Sequence, residues 1–257
     1  MRRHMGVVSA LLTGAVLVLT GCEPADGGRA SGGEAEASTT SVSPSPSATA
    51  TATANGVERL RPAQILARAR AATLAARSLR VRGQIREDGE RGDVDLRFDG
   101  RTRAAGEITM DGGHVSIICI DSVVYFKGDD AFWKTAAGKA GKTGKGTPQL
   151  LGGMWLKDTA EGFGELAETG DRKKFLAETL KEAGTSIKVE GTSRIGGRAA
   201  LTLRGSGGRI YVATEGEPYV LRVDIGAKGY LDLSGFDEPV AVKAPPEDQV
   251  VDLSELE

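Results

Sequence analysis

Histidine, cysteine and asparagine are almost missing from this chain of 257 residues, which holds two His, two Cys and the single Asn55. One His and one Cys fall in the first 22 positions, leaving His114 and Cys119 for the remainder. A His-rich zinc site is therefore excluded within one chain, and any Ser-His-Asp arrangement would have to use His114. Aromatics make up only 5% of the residues while Gly reaches 36, a balance that favours a turn-rich domain over a helical bundle. Neither sign of charge dominates. Lys plus Arg number 33 and Asp plus Glu 35, so the net charge of −2 argues against a basic nucleic-acid binder. Breakers are few where strands would need continuity, since only Pro148 interrupts the run from Pro62 to Pro218. What the chain does have is 40% hydrophobic residues, enough to give one domain of about 200 residues a substantial core.

The chain opens with Met1-Arg2-Arg3-His4 and then runs from Gly6 to Leu19 without a charge. Fourteen helical residues reach about 21 Å, short of a ~30 Å hydrocarbon core, so residues 1–21 read as a secretion signal and not as a permanent span. Leu19-Thr20-Gly21-Cys22 resembles a bacterial lipobox. That resemblance implies diacylglycerol attachment to the Cys22 sulfur and cleavage after Gly21. Loss of Arg2 and Arg3 then moves the net charge from −2 to −4. Two or three acyl chains anchor stably to the outer face of the cell membrane, whereas one is marginal. Residues 22–56 hold Val42 as their one large aliphatic side chain, and the Ser/Thr/Ala/Pro tract from Ser38 to Ala54 reads as a disordered stalk of roughly 30–35 Å coil dimension.

Residues 57–257 form the candidate domain. Pro62 suits a first helical position, and Ile65, Ala69, Ala72, Ala76 and Leu79 recur at helical spacing, so a small-residue stripe faces a partner surface. Arg61, Arg68, Arg70 and Arg77 fall mainly off that stripe and read as a solvated face. From there the period becomes two. Strands are expected at 81–87, 94–98, 106–110, 115–121 and 123–127, joined by turns such as Asp88-Gly89, Asp99-Gly100 and Asp111-Gly112-Gly113. A second set is expected at 186–190, 200–204, 209–213, 219–225 and 230–234, ending with 240–243. Between the sets lie Phe132-Trp133, a cationic Gly/Lys loop at 138–146, an apolar cluster of Leu150, Leu151, Met154, Trp155 and Leu156, and a helical pattern through Phe175, Leu176 and Leu180. The expected fold class is α+β: an antiparallel sheet with helices packed across one concave face, which the family resemblance below makes a strongly curved, open half-barrel.

The Ala-rich first helix ending in Ser78-Leu79-Arg80-Val81-Arg82-Gly83, the strand Gly106-Glu107-Ile108-Thr109-Met110, the segment Val124-Tyr125-Phe126-Lys127-Gly128 with Phe132-Trp133, and the later Ile210-Tyr211-Val212 with Gly216-Glu217-Pro218-Tyr219 resemble actinobacterial LppX/LprG-type lipoproteins. The resemblance covers roughly residues 60–252 and is one of fold pattern, not of catalytic motif. It implies a half-barrel like that of the LolA/LolB carriers, closed by helices over an apolar cavity that accepts acyl chains. The Gly/Lys loop at 138–146 departs from the family.

Little chemistry is on offer. His114 follows Asp111-Gly112-Gly113 and reads as a turn-flanking surface residue; Cys119 sits in an apolar strand and reads as a buried thiol, with no disulfide partner once Cys22 is acylated. Gly141-Lys142-Thr143 invites comparison with a phosphate loop, but that pattern needs a Gly where Ala136 stands. No catalytic residue, metal or cofactor is expected. The cavity lining expected for a lipid or lipoglycan ligand is Leu96, Phe98, Ile108, Met110, Ile117, Tyr125, Trp133, Trp155, Leu203, Val212, Leu221 and Val223. The chain is expected to act as a monomer that binds, shields or transfers such a lipid, moored to the bilayer through acylated Cys22. The alternative is an envelope sensor or adaptor of the same fold, contacting a protein partner through the 138–146 loop and the 219–230 edge.

Overall fold

The computed structural model describes residues 53–87, 89–110, 112–139, 153–159 and 170–253. Cys22, the rest of the stalk and residues 140–152 lie outside them, and with these most of the Gly/Lys loop. After a short 3-10 turn at Val57–Arg59 comes α1, Pro62–Ala75. The helix stops four residues earlier than the stripe implies: Ala76 turns to an extended ψ of 137°, and β1 begins at Ser78, so Leu79 points inward from a strand.

Five strands follow as a meander: β1 (Ser78–Glu87), β2 (Glu90–Asp99), β3 (Arg103–Met110), β4 (Gly113–Ile120) and β5 (Val123–Gly128). Then come α2 (Asp130–Lys139), β6 (Trp155–Thr159), α3 (Arg172–Glu182), β7 (Lys188–Ile195), β8 (Arg198–Arg204), β9 (Arg209–Ala213), β10 (Val220–Asp224), β11 (Gly229–Ser234) and β12 (Val250–Asp252). The two sequence halves are not separate sheets. β1 pairs with β11, welding them into one open, curled sheet in the order β12-β6-β5-β4-β3-β2-β1-β11-β10-β9-β8-β7. The strand expected at 240–243 is absent; Val242 is buried and its carbonyl accepts a bond from the Arg103 guanidinium instead of a ladder N–H. The margin is made by β12, parallel to β6.

Register sorts the side chains. One row reads Leu203, Ile210, Val223, Leu231, Gly83, Val94, Ile108 and Val115 across eight strands, and a neighbouring row reads Leu79, Phe98, Ala104, Cys119 and Val124. These rows make the apolar, concave face. The curl depends on two glycines of this face, Gly83 in the first row and Gly106 between Leu96 and Ile117: a Cβ on Gly83 would run into the Tyr230 carbonyl oxygen, and one on Gly106 into the Asp95 carbonyl oxygen. Bare Cα atoms there let adjacent strands coil more tightly than side chains allow.

The helices cover this face. Ile65, Ala69 and Thr73 of α1 are buried on it, and Thr73 Oγ1 accepts the Val220 N–H at 2.9 Å while donating to the Ala69 carbonyl at 2.8 Å. Phe175 of α3 packs its ring 5.4 Å from that of Phe98, and Phe132 and Trp133 of α2 stand edge-on to Phe126. No helix among the described residues is long and apolar enough to cross a membrane.

Candidate functional site: two faces of one sheet

The apolar face is close-packed over most of its span. Phe98, Leu203, Val212 and Val223 are wholly buried, and Leu96 and Ile117 are 2% exposed. Six of the twelve expected lining residues thus sit in the central hydrophobic cluster, touching side chains on all sides. Burial relaxes toward the Glu87–Glu90 end of the sheet, where Ile85, Ile108 and Met110 are only half-buried, together with Trp133, whose indole N–H donates to the Gly128 carbonyl at 3.0 Å. Cys119 lies deep in this face, and burial pushes its thiol up to about 12.

The other expected residues stand elsewhere. Tyr125 and Trp155 alternate with the inward Phe126 and Leu156, so both project from the opposite face, where Lys127 lies 5.8 Å from the Trp155 ring centre. Leu221 is carried to that side by a β-bulge between Val220 and Arg222 and joins a small separate cluster with Ala200 and Ala213.

That second face is polar and holds an open groove of about 930 Å³. Its floor is built from the outward residues of β1 to β4 and β11, and its wall from the β7–β8 turn and the 235–238 loop. Five carboxylates line it, on Asp93, Asp95, Glu107, Asp232 and Glu238, against Arg82, Arg198 and His114. Two are neutralised in place. Arg80 donates to both Asp95 oxygens, with Arg82 3.3 Å away, and Arg222 holds Asp232 through bonds of 2.5 and 2.7 Å. The Arg80 bond keeps the Asp95 carboxyl below the usual range. Glu107 lies 3.5 Å from His114 Nε2, leaving Asp93 and Glu238 without an ion pair among the described residues.

Aromatic surface completes the groove. Tyr219 stacks on Phe236 with ring centres 4.0 Å apart and planes 9° apart, and the Tyr219 hydroxyl donates to Asp237 at 2.7 Å. Burial, then the neighbouring Asp237, pushes that hydroxyl up to about 12. Tyr230 receives the Arg222 guanidinium on its face at 4.5 Å. Fixed charges and flat rings in an open, wet concavity recognise polar ligands; no trio of His, Cys, Asp or Glu among the described residues gathers to hold a metal ion. Asp93, Glu107, Phe236 and Glu238 were not legible as site residues, since charged residues alternating along a strand usually mark nothing more than a solvated face. The expected 219–230 edge does contribute, through Tyr219 and Tyr230.

No family model matches the chain, nor does any curated protein. Among solved structures it is similar to LprF from Mycobacterium bovis, one of the LppX/LprG type that the sequence resembles. That match has a TM-score of 0.47 at 16% identity and covers 71% of this chain and 95% of that one. It is also similar to a chain of the Pseudomonas aeruginosa MucA/MucB complex, with a TM-score of 0.32 at 14% identity, covering 73% of this chain and 59% of that one.

Proposed function

We propose that the chain is a noncatalytic, extracytoplasmic binding module, moored to the outer face of the membrane through acylated Cys22, that acts as an envelope adaptor through its polar groove. The observation that carries this is the contrast between a concave face filled with side chains and an open groove of about 930 Å³ on the other side. An excess of carboxylates with three aromatic rings suits an extended, cationic polypeptide segment: carboxylates pair its Lys and Arg, and Tyr219, Tyr230 and Phe236 supply flat apolar contact. Site-specific photocrosslinking from position 230 in native membranes tests it. The expected result is one stoichiometric partner, lost in Asp93→Lys/Glu107→Lys; crosslinks to many proteins, unchanged by the charge reversal, reject the adaptor.

The half-buried Ile85, Ile108, Met110 and Trp133 favour a second reading, in which an acyl chain of a lipid or lipoglycan enters the apolar face at its looser end. Bound there, each methylene would regain about 0.8 kcal/mol on leaving water, although much less on leaving a bilayer. The chain would extend inward past Leu96, Phe98 and Ile117 as the helical cover shifts. Native mass spectrometry after gentle extraction separates the readings: a noncovalent lipid at one per protein supports the carrier, and a lipid-free protein that takes up no labelled lipid removes it.

A further inference from the structure

We propose that the buried guanidinium of Arg172 is a binding site for a phosphoryl oxyanion, at the end of the domain where the stalk enters. Arg172 opens α3 and is only 5% exposed, yet its Nε and Nη1 have no hydrogen-bond partner among the described residues. The two carboxylates whose fields reach it are already engaged. Asp171 accepts the Lys173 and Lys174 N–H groups at 2.9 and 3.1 Å and lies 3.5 Å from Arg101 Nε. Asp237 accepts the Arg77 N–H and the Tyr219 hydroxyl, both at 2.7 Å. A buried cation whose nearest carboxylates are held by other donors is poorly compensated, and an anion arriving from solution relieves it. Burial also weakens this guanidinium's hold on its proton, more than the fields of Asp237 and Asp171 restore it.

The guanidinium selects phosphate, whose oxygens match its planar fork of donors, whereas the N-terminus of the 11-residue α3 is already capped by Asp171. Position supplies the source. Thr53 and Asn55, the last of the stalk, dock on the β9–β10 connection, where the Gly216 N–H donates to the Thr53 carbonyl and the Asn55 N–H to the Thr214 carbonyl, each at 2.9 Å. The start of β1 and the β2–β3 turn share this end with the 235–238 loop, and the Arg101 carbonyl in that turn accepts the Arg172 N–H at 2.9 Å. The site therefore lies at the end of the domain that residues 53–55 reach first, where an anchor at Cys22 would bring lipid headgroups as well as free phosphate. It is independent of what the polar groove binds.

The test is thermal unfolding of the full acylated chain in neutral detergent at constant ionic strength. The additions are inorganic phosphate, dihexanoylphosphatidylglycerol and, as the phosphate-free control, dihexanoylglycerol. The expected result is a rise in Tm of about 5–10 °C at one hundred times Kd with a phosphate-bearing addition and none with dihexanoylglycerol. A rise with inorganic phosphate alone assigns the site to the free ion, and one with phosphatidylglycerol alone assigns it to a headgroup. Arg172→Met should melt no lower than the wild type without anion and lose the response. Absence of any rise, or an equal rise in Arg172→Met, overturns the proposal. Should that variant fail to fold, the wild-type Arg172 Nε–H resonance decides: it moves on phosphate addition, and a stationary resonance overturns the site.

Discussion

The two faces of the sheet are made by the same strands, alternate residue by alternate residue, yet they hold opposite kinds of structure. On the concave side Phe98, Ile117 and Leu203 have given up nearly all their surface to one another and to the helices. On the other side Asp93, Glu107 and Tyr230 retain water and line an open groove. The first face supplies stability, because a side chain locked in a close-packed core has little surface left for a ligand, whereas the second keeps the open surface on which the proposed adaptor reading rests. The polar side is nevertheless anchored where it needs to be. Arg80–Asp95 and Arg222–Asp232 are bidentate, cross-strand and partly shielded, so they fix the groove floor more firmly than freely exposed pairs would.

The sharpest way to break the contrast is a matched pair of truncations. Phe98→Ala, which removes the ring packed at a tilt against Phe175, should cost about 3–5 kcal/mol in urea unfolding, whereas Asp93→Ala on the same strand should cost less than about 0.5 kcal/mol. Equal losses would mean that the two faces do not divide the work. Gly106→Ala should cost about 2–4 kcal/mol although it adds only a methyl group, because that group has no room against the Asp95 carbonyl; a neutral outcome would show that the curl does not depend on bare backbone there.

Alkali sharpens the comparison next. Cys119 titrates near 9.0 when unfolded and at about 12 when folded, and Tyr219 near 10.0 and about 12. Above pH 9 the unfolded chain releases protons that the folded one retains, so stability is full below that pH and falls as pH rises toward 12. The Tm should drop across this window, with the slope reduced in Cys119→Ala, and folded Cys119 should resist thiol reagents at pH 8; a flat profile contradicts its burial. The smallest effect belongs to the stalk junction. Asn55→Ala removes bonds to the Ala213 carbonyl and from the Val57 N–H, for a loss of about 1–2 kcal/mol together with faster proteolysis at residues 53–56.

The hairpins were legible because local chemistry dictates them: Gly89, Gly100 and Gly112 take left-handed φ of 89°, 73° and 76° in the expected Asp-Gly and Gly-Gly turns. Period-two alternation likewise located most strands, while the half-barrel class came from the family resemblance. Three features resisted. The β1–β11 seam joins residues some 150 positions apart, and nothing in either strand names its partner. The facing of Tyr125 and Trp155 turned on a single residue of register, which hydrophobicity alone does not set when a large aromatic can stand on either side. The groove arises only when the β7–β8 turn and the 235–238 loop close over strands far away in sequence.

The docking of Thr53 and Asn55 on the β9–β10 connection has a mechanical consequence. Tension on the chain ahead of Thr53, such as the proposed anchor at Cys22 would apply, would meet the Gly216–Thr53 and Asn55–Thr214 bonds before it reached α1, peeling a few residues and sparing the core. The junction would then work as a fuse, lengthening the reach of the head under load and resetting when the load is removed.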